Sequence, residues 1–187
     1  MYITSGRLKG QKIETPRGGR TRPTSGRLRQ AFFNIVAPYI EGANFLDLCA
    51  GSGAMGLEAR SAHARAVTFV DSSREACRAI RANIKRMNLE HGARVLESSL
   101  PRALEQLLEE GSVFDIIYFD PPYESVGLIE EVLSFMDQHP ALLGKEGRLF
   151  LEVSRRVSIE KFPVHQLTLE SKRQSGDSML IMYKNVN

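Results

Sequence analysis

From residue 44 onward, short apolar runs alternate with segments whose apolar residues recur every three or four positions. NFLDLC (44–49), AVTFVD (66–71), ARVLE (93–97), VFDIIYFD (113–120) and GRLFLEVS (147–154) read as strands. Their near-continuous apolar character is that of strands covered on both faces. Cys77, Ile80, Ile84 and Met87 predict a helix over 73–90. Its opposite face carries Arg74, Arg78, Arg81 and Lys85, either simply solvated or in contact with RNA. Leu104, Leu107 and Leu108 mark another helix, and Ile129, Val132, Leu133 and Met136 a further one. Strand and helix in alternation predict a parallel sheet with helices on both faces. The style then changes: 164–170 and 178–184 read as two strands joined by SKRQSGD with no helix between them. That is an antiparallel hairpin. The expected fold class is α/β: a Rossmann-like doubly wound seven-stranded sheet in the order 3-2-1-4-5-7-6, with the last hairpin antiparallel.

The first residues lie outside this alternation. Residues 2–13 alternate weakly around Ser5-Gly6 and Lys9-Gly10 and predict a small hairpin, and Pro16 to Gly19 a linker or turn. Ser25 is placed to cap a helix over 26–39 with Leu28, Phe32, Ile35, Val36 and Tyr39 on its inner face. The expected organisation is a basic extension over 1–24 and one α/β domain over 25–187.

Composition narrows the class. A chain of 187 residues buries roughly 70% of its unfolded surface and needs no staple. With 42% hydrophobic and 25% charged residues it is an ordinary globular sequence, not a disordered, collagenous or coiled-coil one. No apolar run approaches the ~20 residues of a membrane span, and MYITSGRLKG lacks the apolar stretch of a secretory signal. Cys49 and Cys77 show no CxxC spacing, so free thiols and a cytoplasmic location are expected. Cys49 reads as a small buried residue. His63, His91, His139 and His165 are scattered without ligand spacing, so no metal is expected.

Charge divides the chain. Residues 1–30 hold eight Lys and Arg against the single acid Glu14, a net +7, and the remainder holds 17 basic and 21 acidic residues, a net −4. A basic arm on a mildly acidic body suits a polyanionic partner, or is a solvated tail.

The chemistry sits at strand ends. The first strand runs into Gly51-Ser52-Gly53-Ala54-Met55-Gly56, a GxGxxG in strand–turn–helix context. Gly51 and Gly53 permit positive φ and close approach of a ligand. The second strand ends at Asp71, whose carboxylate can accept from two ribose hydroxyls or cap the helix that starts near Ser72. Asp47 stands just before the glycine turn. A carboxylate there suits a cationic ligand better than a pyrophosphate, which favours S-adenosylmethionine over NAD, unless Asp47 only bonds loop amides. The fourth strand ends Asp120-Pro121-Pro122-Tyr123. Two prolines fix two φ angles and stiffen the turn. In a doubly wound sheet this turn and Gly51–Gly53 would line one crevice at the switch point. Asp120 and the Pro121 carbonyl can accept the two N–H bonds of an exocyclic amine while Tyr123 stacks on the base. Such a base must be flipped out or unpaired.

These motifs carry a resemblance. Arg22-Pro23-Thr24 followed by Arg27-Leu28-Arg29-Gln30-Ala31-Phe32-Phe33-Asn34, the run Leu46 to Ala59, Phe119-Asp120-Pro121-Pro122-Tyr123 and Gly176-Asp177 resemble the RsmD-type family, the bacterial 16S rRNA (guanine-966-N2) methyltransferases, over essentially the whole chain. The resemblance implies methyl transfer from S-adenosylmethionine to a guanine amine of small-subunit rRNA, naked or in an assembling particle, by a monomer. It implies that Asp47, Gly51 and Gly53 shape the cofactor loop, that Asp71 with Ser72 meets the ribose, and that Asp120, Pro121, Pro122 and Tyr123 handle the amine. Thr24, in the loop with Arg22, would close over the cofactor, and Arg7, Lys9, Lys12, Arg20, Arg22 and Arg29 would hold RNA.

The chain departs from the family pattern where Gln30 replaces a glutamate and where Ser98 and Ser99 replace an acid. Adenine N6 would then meet a serine hydroxyl, Ser99 being the candidate, or a backbone group. Arg60-Ser61-Ala62-His63-Ala64 also differs from the usual Ser-Arg-Gly-Ala. Alternative readings are a methyltransferase for adenine N6 or another base amine, an NAD-dependent oxidoreductase, and a non-catalytic RNA-binding module.

Overall fold

The computed structural model describes residues 1–16, 26–122 and 125–185, and all of their side chains but that of Arg27. The strands are β1 (Asn44–Leu48), β2 (Ala66–Asp71), β3 (Ala93–Glu97), β4 (Phe114–Phe119), β5 (Leu143–Ser154), β6 (Leu167–Ser175) and β7 (Ser178–Asn185). The helices are α1 (Gly26–Val36), α2 (Ala54–Ser61), α3 (Arg74–Arg86), α4 (Leu100–Glu109) and α5 (Val126–Gln138). The sheet order is β3-β2-β1-β4-β5-β7-β6, the one expected for the Rossmann-like class. β1–β2, β2–β3 and β4–β5 pair in parallel, while β5–β7 and β6–β7 are antiparallel. The chain forms two compact units, Met1–Ser99 and Leu100–Asn187.

In the first unit Phe45, Leu46, Leu48, Phe69, Val70 and Ile80 are fully buried. Phe32 of α1 meets Phe45 of β1 edge-on at 6.2 Å, a favourable aromatic geometry. α1 stops at Val36, earlier than the apolar pattern predicts. Pro38 explains this, because it offers no N–H and pushes Ala37 out of helical geometry. The predicted Ser25 cap lies outside the described residues. α3 spans Arg74–Arg86 within the predicted 73–90, with Ser73 as its cap through Ala76 N–H at 3.3 Å. It ends where Asn88 takes φ 53°, a left-handed stop that asparagine tolerates.

Residues 1–14 lie on α2 and α3. Tyr2 and Lys12 form an antiparallel bridge, and Ile3, Leu8 and Ile13 are buried. The Arg7 amide donates to the Ser61 carbonyl at 3.0 Å and the Leu8 amide to Ser61 Oγ at 3.0 Å. Gly6 takes φ 75°, and a Cβ there would stand 2.2 Å from the Ser61 carbonyl oxygen. Asn83, fully buried on α3, accepts from Glu14 N and donates to Glu14 O, both at 2.9 Å.

In the second unit Ile117, Phe119, Val132, Met136, Leu149 and Phe150 form the core. Two boundaries differ from the sequence pattern. β5 begins at Leu143, since Leu143 pairs with Phe114 ahead of a register shift. β6 runs to Ser175 through residues expected as a loop, its side chains mostly exposed. It is an edge strand, where charged and polar residues face water and blunt the edge. The turn is therefore only Gly176-Asp177, with Gly176 at φ 61°, as a two-residue primed turn requires.

Candidate active site

In the first unit, β1 delivers the chain into the glycine loop. Cys49, Gly51 and Gly53 all take positive φ, at 58°, 55° and 73°. Cys49 is half-buried rather than buried. Left-handed geometry at a non-glycine residue costs roughly 1–3 kcal/mol and tends to mark a functional turn. Gly56 serves packing instead. A Cβ there would lie 2.2 Å from Phe69 Cε1, so only glycine lets α2 press this close to β2.

Asp47 is 2% exposed and its Oδ2 accepts the Gly56 amide at 2.9 Å. It occupies the first turn of α2, where Gly53 supplies no side-chain cap. The positive end of the helix is thus met by an internal carboxylate. A pyrophosphate brought to that helix end would meet negative charge, whereas a sulfonium or ammonium would not be repelled.

Asp71 joins two elements. Its Oδ2 accepts the Gly51 amide and its Oδ1 the Ser73 amide, each at 2.8 Å. A carboxylate has about four acceptor positions, so the half-buried Asp71 keeps capacity for two ribose hydroxyls. Asp71 is not the helix cap: Ser73 caps α3, and Asp71 holds the amide of that cap residue instead. Ser72 is exposed beside it. The Ser98 amide donates to the Asp71 carbonyl at 3.1 Å, and Ser99 follows, exposed. The ends of β2 and β3 therefore present Asp71, Ser72 and Ser99 together. Glu97 ties β3 to α3 through Arg74 at 3.3 Å and Arg81 at 3.2 Å, and the hydrogen bond from Arg81 leads in holding its carboxyl below the usual range. Two cations of the α3 basic face are thereby engaged within the protein.

In the second unit, Asp120 directly follows β4, and the Pro122 carbonyl accepts the Ser125 amide at 2.9 Å. Asp120, Pro121 and Pro122 line a hollow with Ile129, Glu152 and Ser154 among others. Glu152 is 5% exposed on β5 and accepts from the Tyr118 hydroxyl. The sequence reading passed over Glu152, although a lone acid inside the apolar run RLFLEVS is itself a signal. Tyr123, Arg20, Arg22 and Thr24 lie outside the described residues.

The candidate RNA contacts separate. Arg7, Lys9 and Lys12 are exposed on the docked basic segment. Arg29 is only 4% exposed. Its guanidinium faces Glu58 at 3.5 Å and donates to the Tyr2 carbonyl at 3.2 Å. Burial and an internal partner direct this charge into the protein, away from a polyanion. The sequence reading also missed Glu58 and Asn83, both fully buried. Among the described residues no cluster of His, Cys, Asp or Glu is arranged to hold a metal, and no helix is long and apolar enough to cross a membrane.

Comparison with known proteins identifies the family. The family described as "Conserved hypothetical protein 95" matches residues 1–184. The chain is 32% identical over 184 residues to a Bacillus subtilis (strain 168) protein named "Putative rRNA methyltransferase YlbH", covering 98% of each. It is 33% identical over 182 residues to ribosomal RNA small subunit methyltransferase D of Escherichia coli (strain K12), covering 97% of this chain and 88% of that one. A solved Escherichia coli structure superposes with a TM-score of 0.82 at 29% identity, over 99% of this chain and 97% of the other. With glycine loop, strand order and proline turn in place, the chain belongs to the Conserved hypothetical protein 95 family, the RsmD family of methyltransferases.

Proposed function

We propose that this protein is an S-adenosylmethionine-dependent rRNA methyltransferase whose target is the exocyclic N2 amine of a guanine in small-subunit rRNA, at position 966. The carrying observation is the stiff Asp120-Pro121-Pro122 turn, lining a hollow with Glu152, in a chain whose relatives bear the name of small-subunit rRNA methyltransferases.

The residues suit the cofactor. Asp71 accepts two backbone amides and keeps acceptor capacity for a ribose, and Gly51 and Gly53 let the loop take the positive φ values that shape it. S-adenosylmethionine, when bound, supplies an electrophilic methyl group on a sulfonium.

The chain's own residues prepare the nucleophile. A guanine N2 is conjugated with its ring and is a poor nucleophile. Asp120 and the Pro121 carbonyl accept its two N–H bonds, which localises the lone pair on nitrogen. Tyr123 stacks on the base and holds it in line, so that positioning does most of the work. Formation of the N–C bond would break the methyl–sulfur bond, its electron pair going to sulfur to leave the neutral thioether S-adenosylhomocysteine, and the nitrogen, cationic for the moment, would pass one proton to Asp120 or to water. Residues 1–24 serve as the RNA-docking element through Arg7, Lys9, Lys12, Arg20 and Arg22, and Arg29 braces that element from within. The enzyme works as a monomer on rRNA in the cytoplasm.

Replacing Asp120 with Ala and measuring labelled methyl incorporation into unmethylated small-subunit RNA tests this reading. Loss of at least a hundredfold in rate with cofactor affinity retained is expected. Full activity would overturn the role of Asp120. Replacing Asp71 with Ala should instead weaken cofactor binding in calorimetry and leave RNA binding unchanged.

A further inference from the structure

Beside the Asp120 turn lies a second hollow of about 360 Å³, lined by Val126, Ser154, Arg156, Val157, Lys161 and Phe162 among others. It shares Ser154 and Val157 with the hollow that holds Asp120 and Glu152. Its volume falls in the roughly 300–1,000 Å³ range of small-molecule sites. We propose that this hollow is the subsite for the nucleotide next to the methylated base, with its phosphates on Arg156 and Lys161 and its base against Val126, Val157 and the edge of Phe162. The inference rests on the RNA-methylating function proposed above and adds a specific contact to it.

The chemistry changes sign between the two hollows. The first presents two carboxylates, Asp120 and Glu152, suited to N–H donors. Among the described residues the second presents two cations, Arg156 and Lys161, and no acid, a lining suited to phosphate oxygens. Among the described residues Arg156 and Lys161 make no ion pair, although their neighbours do. Arg155 turns the other way, to Asp177 at 3.4 Å, and its amide donates to the Asp177 carbonyl at 2.9 Å. Glu160 is taken by Lys172 Nζ at 2.5 Å and by the Ser158 hydroxyl at 2.9 Å. Those bonds push its carboxyl down to about 2. Asp177 and Glu160 are therefore engaged by other cations, and the loop that carries Arg156 is anchored.

The apolar side is equally specific. Val126 is 47% exposed at the start of α5, a large hydrophobic residue facing water. A base stacked there would cover it. Bases pack on apolar and aromatic surfaces with little sequence preference, and phosphates supply a salt-dependent share of affinity. One nucleotide satisfies both halves of the hollow.

The test compares wild type, the double variant Arg156→Ala/Lys161→Ala and the charge-keeping double variant Arg156→Lys/Lys161→Arg. Binding of a fluorescent small-subunit rRNA fragment is followed by anisotropy over a salt series, and RNA KM is measured in methyl transfer. Removing two single-strand phosphate contacts should make the slope of log affinity on log salt shallower by about 1.4. RNA KM should rise about tenfold, while cofactor affinity by calorimetry stays unchanged. The charge-keeping variant should retain the wild-type slope. An unchanged slope and KM in the alanine variant would overturn the subsite. A wild-type protein that binds RNA but transfers no methyl would instead overturn the proposed reaction, and the salt slopes would still judge the subsite.

Discussion

Arg29 on α1 and Glu58 on α2 form an ion pair, Nε to Oε1 at 3.5 Å, with both side chains essentially out of solvent. Glu58 Oε1 also accepts the Thr4 amide at 2.7 Å and the Thr4 hydroxyl at 2.8 Å. One carboxylate thus joins α1, α2 and the basic segment. α2 begins at the glycine loop, so the segment that carries Arg7, Lys9 and Lys12 is fixed to the helix that starts from that loop. Over residues 1–14 the positive charge belongs to an anchored element and not to a loose tail.

Removing one partner of a buried pair leaves the other uncompensated, at about 3–5 kcal/mol. Glu58→Ala should lower unfolding free energy by that amount in urea titration. The paired replacement Arg29→Met/Glu58→Leu should recover much of the loss. A loss below about 1 kcal/mol in the single variant would show that the pair is not holding the segment.

Glycine substitutions should separate sharply. Gly56→Ala puts a methyl 2.2 Å from the buried Phe69 ring, and overpacking of this kind costs about 1–3 kcal/mol or more. Gly127, inside α5, has nothing within 4 Å of its Cβ position, so Gly127→Ala should be neutral or stabilising by up to about 1 kcal/mol. Thermal melts of the two variants check the contrast.

The two thiols should also differ. Burial, then the charge of Asp71, pushes the Cys77 thiol up to about 11. At pH 8 its thiolate fraction is about one in a thousand, and the thiolate is the reactive form. Cys49 is half-buried at the glycine loop. Alkylation followed by mass spectrometry should label Cys49 first, and bound cofactor should slow that labelling. Preferential labelling of Cys77 would contradict the structure.

Glu160 gives a pH prediction. The hydrogen bond from Lys172 leads in lowering its carboxyl from 4.5 to about 2. A lowered folded value means that the contribution to stability is present above pH 4.5 and is lost as pH falls toward 2. The pair is exposed, so the effect on stability is small. Lys172→Gln should move the Glu160 midpoint, followed by NMR titration, back toward the ordinary carboxylate value. An unmoved midpoint would remove Lys172 as the cause.

What the sequence reveals and what it hides follow from the same physics. Strands buried on both faces, such as VFDIIYFD, announce themselves through continuous apolar runs. β6 does not, because an edge strand in water needs polar residues, and residues 171–175 look like a loop. The glycine loop and the proline turn are legible because their backbone geometry demands glycine and proline. Arg29 misleads because counting charges does not say which face a charge occupies. Its place four residues before Phe33 and seven before Val36, on the buried face of α1, is the available signal. Glu58 and Asn83 are hidden in the same way, as polar residues at inward positions whose partners lie 54 and 69 residues away in sequence.

The central claim is methyl transfer to a guanine amine of small-subunit rRNA. Its most direct test is nucleoside mass spectrometry of small-subunit rRNA from cells with and without this protein, with the modified position mapped. One N2-methylguanine should disappear without the protein and return with the wild-type chain but not with Asp120→Ala. Loss of a methylated adenine instead, or no change in any methylated nucleoside, would contradict it.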